Sequence, residues 1–159
     1  MKGTRSNRDP RVTSRIMASV SAKNTRPELL VRKRLWSLGY RYRVHPRGIF
    51  GRPDIVFTRL RVAVFVDGDF WHGNPEEWKR RGFQRFEDIF PSRSEWWTAK
   101  IRRNIERDRE VDRQLQSEGW MVVRCWESSI YENCDEAIGR IAKAVEQRGG
   151  RPVNSGDYE

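Results

Sequence analysis

Three acids and a histidine stand close together mid-chain, in Gly51-Arg52-Pro53-Asp54-Ile55-Val56-Phe57 and in Asp67-Gly68-Asp69-Phe70-Trp71-His72. Asp54 opens an apolar run ending at Thr58, Arg59 to Arg61 make a polar turn, and Val62-Ala63-Val64-Phe65-Val66 returns. This pattern predicts a β-hairpin whose two acidic ends lie side by side. Clustered carboxylates repel one another unless a cation is present, and Mg2+ prefers one or two carboxylates completed by water and a substrate phosphate. A histidine with its usual pKa of about 6.5 can remove a proton at neutral pH. Together these groups could hydrolyse a phosphodiester with the help of a metal. Each also has a plainer reading: Pro-Asp as a strand end, Asp-Gly-Asp as a turn, His72 as a surface loop residue.

The elements that must position these groups follow from periodicity. Thr25 with Glu28 is a capping box, Pro27 is tolerated in a first helical turn, and Val31, Leu35 and Leu38 form an apolar stripe ending at Gly39. A shorter helix is expected over Arg15 to Val20. Tyr40, Tyr42 and Val44 alternate with Arg41, Arg43 and His45, as in a half-buried strand with a basic outer face. After the hairpin, Gly68 to about Ser94 reads as a long loop, and loops of that length in compact domains are usually functional. A long helix is expected from about Ser94 to Ser117, with Trp97, Ile101, Ile105, Val111 and Leu115 on its buried side and Gly119 as its stop. Trp120 to Trp126 reads as a central strand running parallel after that helix, and Asn133 with Glu136 caps a last helix burying Ile138, Ile141 and Val145. The order α, β, β, β, α, β, α predicts an α/β fold, a mixed central sheet flanked by helices.

With 159 residues the chain has the length of one domain, expected over 13–148, with disordered tails at 1–12 (basic) and 149–159. Its 32 basic against 22 acidic residues give a net charge of +10, which with seven Trp points to a polyanionic, nucleic-acid partner. Cys125 and Cys134 form neither a CxxC pair nor a cluster with histidine, so they indicate neither a disulfide framework nor zinc. A reducing compartment, the cytoplasm with action at the nucleoid, is expected. No apolar run is long enough to span a membrane, so no membrane partner is expected.

The motifs Thr25-Arg26-Pro27-Glu28, Gly51-Arg52-Pro53-Asp54, Phe65-Val66-Asp67-Gly68-Asp69-Phe70-Trp71-His72 and Trp97 to Asp108 occur in order, and Gly119-Trp120-Met121-Val122-Val123 precedes Trp126-Glu127. Over about residues 13–146 this set resembles the very-short-patch-repair (Vsr) endonucleases. The resemblance implies a restriction-endonuclease-like core, of the PD-(D/E)XK type, that nicks one strand of double-stranded DNA beside a T:G mismatch with Mg2+. It implies Asp54 as the metal-binding aspartate, His72 as the general base and Glu28 as a further active-site acid, although the capping box explains Glu28 by itself. Val66 falls where the family has a metal-binding threonine, so either its carbonyl or neighbouring Asp67 is expected to serve. Asp67 itself falls where the best-known members carry histidine.

The resemblance further implies DNA contact by Met17, Phe70, Trp71, Trp96, Lys100 and Asn104. Phe70 and Trp71 are expected as exposed wedges and Trp97 as buried. Lys100, Asn104, Arg107 and Asp108 share one helix face, whose default reading is a solvated stripe. Lys79, Arg80 and Arg81 are expected to touch phosphate, setting affinity rather than sequence preference. The family's zinc site falls on Asp69, Asn74, Glu76 and Ser128, a poor ligand set. No structural zinc is therefore expected, and packing and hydrogen bonds must hold the loop. A monomer suffices to nick one strand, and repair proteins are the expected partners. The rival expectations are a nuclease without mismatch preference and a DNA-binding module lacking catalysis.

Overall fold

The structure, a computed structural model, describes residues 23–153. Met17 and the helix expected over 15–20 lie outside the described residues. Helix α1 (Arg26–Ser37) is followed by strands β1 (Arg43–Val44), β2 (Ile55–Phe57) and β3 (Val62–Asp67). Then come a short helix α2 (Pro75–Arg80), the long helix α3 (Ser94–Ser117), strand β4 (Met121–Trp126) and helices α4 (Glu127–Glu132) and α5 (Cys134–Gln147).

The sheet has the order β1-β2-β3-β4. The expected hairpin is present, with β2 antiparallel to β3 through Ile55↔Val64, Val56↔Ala63 and Phe57↔Val62. Strand β4 runs parallel to β3, as a crossover through a long helix allows, but it lies at the sheet's edge rather than its centre. Alternation along the strands sorts two layers of core. Val62, Val64, Val123 and Cys125 join Val31 and Leu35 of α1, Ile130 of α4 and Ile138, Ile141 and Val145 of α5. On the other face Ala63 and Phe65 meet Val111 and Leu115 of α3. The result is a mixed α/β sheet with helices on both sides. Each fully buried branched side chain there contributes about 1.5–3 kcal/mol.

Local signals explain most boundaries. Thr25 caps α1, its side chain accepting the Glu28 N–H, and Asn133 does the same for α5 with Glu136 N–H. Leu38, expected in the buried stripe, is instead 41% exposed because α1 ends at Ser37 and Leu38 is already its cap. The segment 68–94 is less irregular than expected: it holds α2, capped by Asn74, and a 3-10 turn over Phe86–Ile89. Within the segment 149–153, Val153 N–H donates to the Gly39 carbonyl at 2.8 Å. Among the described residues no helix is long and apolar enough to cross a membrane.

Candidate active site

The hairpin sets Asp54 in place from three directions. Its N–H donates to the Val64 carbonyl at 2.9 Å, its carbonyl accepts the His45 N–H at 3.1 Å, and its Oδ2 accepts the Val66 N–H at 2.7 Å. The Val66 backbone therefore fixes the aspartate, while its side chain packs against the core and offers nothing to a metal. Burial pushes the Asp54 carboxyl up to about 6; the Val66 hydrogen bond and His45 pull it down, and Glu28 and Asp67 push it further up.

Glu28, 1% exposed at the start of α1, does not close the capping box on Thr25. Its Oε2 accepts the Asn24 N–H at 3.0 Å and its Oε1 lies 2.6 Å from His45 Nε2. That contact is close but lies off the line of the ring N–H, so buried Nε2 has no hydrogen bond among the described residues. The other ring nitrogen, Nδ1, is 3.7 Å from Asp54 Oδ1. Ligand atoms of Glu28, His45 and Asp54 all fall within 4.8 Å of one another. A buried and a half-buried carboxylate and an orphaned imidazole nitrogen converging this closely are a donor set that fits a divalent cation. His45, read in the sequence only as an outer-face strand residue, is brought inward by a left-handed backbone, φ +45°, just past β1. A non-glycine residue in that conformation is uncommon and clusters at functional sites.

The second half of the site lies on the other face of the hairpin end. His72 Nδ1 is 2.5 Å from Asp108 Oδ2 of α3 and 3.7 Å from Asp67 Oδ1. Burial pulls the imidazole pKa down, but the hydrogen bond to Asp108 and the charges of Asp67 and Asp108 outweigh it, so the net shift is upward. Asp67 is not drawn into the Glu28, His45 and Asp54 group. Both its oxygens accept from Arg124 Nη1, at 3.1 and 3.0 Å, and it is 4% exposed.

The stripe Lys100, Asn104, Arg107 and Asp108 is not simply solvated. Asn104 Nδ2 donates to the Trp71 carbonyl at 3.0 Å, so this residue and Asp108 tether the His72 loop to α3. Phe70 and Trp71 are not exposed wedges but half-buried rings in an aromatic cluster with Trp97 and Phe90. Trp97, expected to be buried, is half-buried there because its ring stacks on Phe90. Trp96 is the exposed member at 47%, with Lys100 Nζ 5.0 Å above its ring and 5.2 Å from that of Trp71. Lys79, Arg80 and Arg81 are exposed, in ion pairs with Glu76, Glu132 and Glu77. Such surface pairs are weak and leave the cations open to phosphate.

The loop is closed by hydrogen bonds at the positions where the resemblance puts zinc ligands. Asp69 Oδ1 accepts from Asn74 Nδ2 at 2.6 Å and from Ser128 Oγ at 2.5 Å, while Oδ2 accepts the Ser128 N–H at 2.9 Å. Glu76 stays outside and pairs with Lys79.

Residues 6–80 match the family described as DNA mismatch endonuclease Vsr. The chain is 43% identical over 141 residues to the type II nicking enzyme V.NmeDIP of Neisseria meningitidis serogroup C, covering 89% of this chain and 90% of that protein. The chain belongs to the Vsr family of DNA endonucleases. It is also 42% identical over 131 residues to the type II nicking enzyme V.HpaIIP of Haemophilus parainfluenzae, covering 82% of this chain and 88% of that one. Against the DNA mismatch endonuclease Vsr of Escherichia coli K12 it is 31% identical over 122 residues, with 77% and 73% covered. This Vsr-family chain is thus an enzyme that cuts DNA, and the two acid and histidine groups at the hairpin end are its candidate catalytic residues.

Proposed function

We propose that this endonuclease nicks one strand of double-stranded DNA at or near a T:G mismatch, with Mg2+ held at Asp54. The observation that supports this most is the placing of two unlike groups at one hairpin end: a partly buried carboxylate and imidazole set, and a histidine backed by an aspartate. Glu28, Asp54 and His45 would hold the cation, with the Val66 carbonyl available beside them. When bound, the ion would offset the charge developing on the phosphate and the leaving oxygen. The four-stranded mixed sheet with the acids at one hairpin end agrees with a restriction-endonuclease-like, PD-(D/E)XK-type core.

The protein's own groups do the proton chemistry. With Nδ1–H donated to Asp108, the imidazole keeps the lone pair on Nε2. Nε2 takes the proton from a water as its oxygen attacks phosphorus, and the P–O bond to the leaving sugar oxygen breaks. Asp108 holds the ring and stabilises the imidazolium that forms, as the acid of a catalytic triad does. Trp96 and Lys100 form an exposed ring and cation pair suited to an unstacked base beside a mismatch. One site serves one strand, so a monomer suffices, acting in the cytoplasm alongside repair proteins.

A second reading has a specific observation behind it. Relatives at 43% and 42% identity bear the name nicking enzyme, without the word mismatch. On that reading the same chemistry cuts duplex DNA whether or not it is mispaired. Nicking of matched and T:G duplexes with the same flanks decides: mismatch-only cutting of the T strand supports repair, and equal cutting of both supports the general nuclease.

A further inference from the structure

Arg124 is the one charged residue of β4, and the established activity assigns it nothing. It sits on the α3 face of the sheet, its guanidinium 4.2 Å from the Phe65 ring centroid. Its donors are fully engaged. Nη1 binds both oxygens of Asp67, Nε lies 2.8 Å from Asp112 Oδ1, and Nη2 donates to the Asp108 carbonyl at 3.3 Å. One side chain on β4 therefore ties the end of β3 to the stretch of α3 that carries the histidine's partner. Asp108 Oδ1 is itself 3.8 Å from Nη1.

We propose that Arg124 is a positioning residue for the nicking reaction: it holds Asp67 as a counter-ion rather than a metal ligand, and together they fix Asp108 and His72 in working geometry. This rests on the reading of His72 as the base. Three carboxylates, Asp67, Asp108 and Asp112, face one another here, and only a planar fork with several fixed donors can serve all of them at once. Lysine, a point charge with no fixed fork, cannot replace it. The alternative use of Asp67, as a cation ligand beside Asp54, would require this buried carboxylate to give up the Arg124 Nη1 that both its oxygens share. Leaving it would strip the guanidinium of two charge-assisted hydrogen bonds, with only Asp112 and the Asp108 carbonyl remaining to it.

The test is single-turnover nicking by Arg124→Met, Arg124→Lys, Asp67→Asn and the double variant Asp67→Asn/Arg124→Met, with melting temperatures measured alongside. A displacement of about 1 Å at a reacting group costs on the order of 100-fold in rate. Each single variant should therefore lose about 30- to 100-fold in the nicking rate, with the DNA affinity unchanged. Arg124→Lys keeps the charge and should fold, yet it should not rescue the rate. The double variant should be no slower than the worse single one, because the residues act as a unit. The rise in melting temperature produced by Mg2+ should be the same in Asp67→Asn as in the unaltered protein.

Multiplicative losses in the double variant, weaker DNA binding at an unchanged rate, or loss of the Mg2+-induced stabilisation in Asp67→Asn would each overturn the proposal. So would wild-type rates in Arg124→Lys. His72→Ala nicking at the normal rate would remove the base reading as well, whereas normal rates in the Arg124 variants with an inactive His72→Ala would remove this inference alone.

Discussion

Asp54 is held where a carboxylate is costly to ionise, and that cost has a consequence for stability. Because burial raises its pKa to about 6 in the folded protein, the folded state binds this proton more tightly than the unfolded chain does. Without a cation, stability should therefore fall as pH rises from about 4 to about 6 and stay lower above it. A bound divalent cation offsets the charge, so the gain in melting temperature on adding Mg2+ should be larger at about pH 7.5 than at about pH 5. Asp54→Asn should melt higher than the unaltered protein at the upper pH without metal, and should gain little from Mg2+. A gain independent of pH would contradict this placing of the metal. His72 is shifted upward as well and is a base only above its raised pKa, so the acid limb of the nicking rate should lie above about pH 6.5. Asp108→Asn removes the partner that raises it and should move that limb to lower pH while cutting the rate by about 100-fold or more. At this scale the candidate site was legible where chemistry and motif coincided, as at Asp54 and Glu28, which meet, and at His72, which pairs with Asp108. His45 was hidden because nothing in an alternating strand pattern reveals a left-handed residue at the strand's exit. Arg124 carried a signal that could have been used, a lone charge inside the apolar run Met-Val-Val-Arg-Cys-Trp, which demands a buried partner.

The loop between β3 and α3 must hold its shape for the His72 pair to form, and it does so by close approach to the long helix. Gly73 has φ +65°, and a Cβ there would stand 2.6 Å from Ile105 Cδ1 and 3.2 Å from Ile101 Cγ2. Gly73→Ala should thus combine backbone strain with overpacking, costing about 1–3 kcal/mol in stability by urea unfolding, and should slow nicking by shifting the adjacent His72. Unchanged rate and stability would show that the loop is not seated as described. The long helix, the hairpin and the capped terminal helix were legible because each combines a strong period with a cap, as at Thr25 and Asn133. The edge position of β4 was not, since an apolar run looks the same in a central strand and in one whose faces are covered by α3 and α5. Helix α2 was not legible because Pro75 to Arg80 is too short and too polar to show a period.

The whole molecule carries a net charge of +10, with Lys79, Arg80, Arg81 and Lys100 exposed or half-exposed near the loop that bears His72. Binding to duplex DNA should weaken steeply with salt. Replacing Lys79 and Arg80 by alanine should lower the magnitude of the log–log salt slope by about two, measured by fluorescence anisotropy, and leave any mismatch preference intact. A salt slope unchanged by those substitutions would place the DNA elsewhere on the surface. Charge and aromatic content pointed to nucleic acid from composition alone, but which faces were free was not legible: Phe70 and Trp71 proved to be packed and Trp96 exposed, a matter of tertiary contacts. The most direct test of the central claim is a strand-resolved nicking assay on an end-labelled T:G duplex and its matched counterpart. It compares the unaltered protein with Asp54→Ala, in Mg2+ and in EDTA. The expected result is one cut in the T strand of the mismatched duplex, in Mg2+ only, with Asp54→Ala reduced at least about 1,000-fold while still binding DNA. Cutting that persists in EDTA or in Asp54→Ala would contradict a metal-dependent site at the hairpin end.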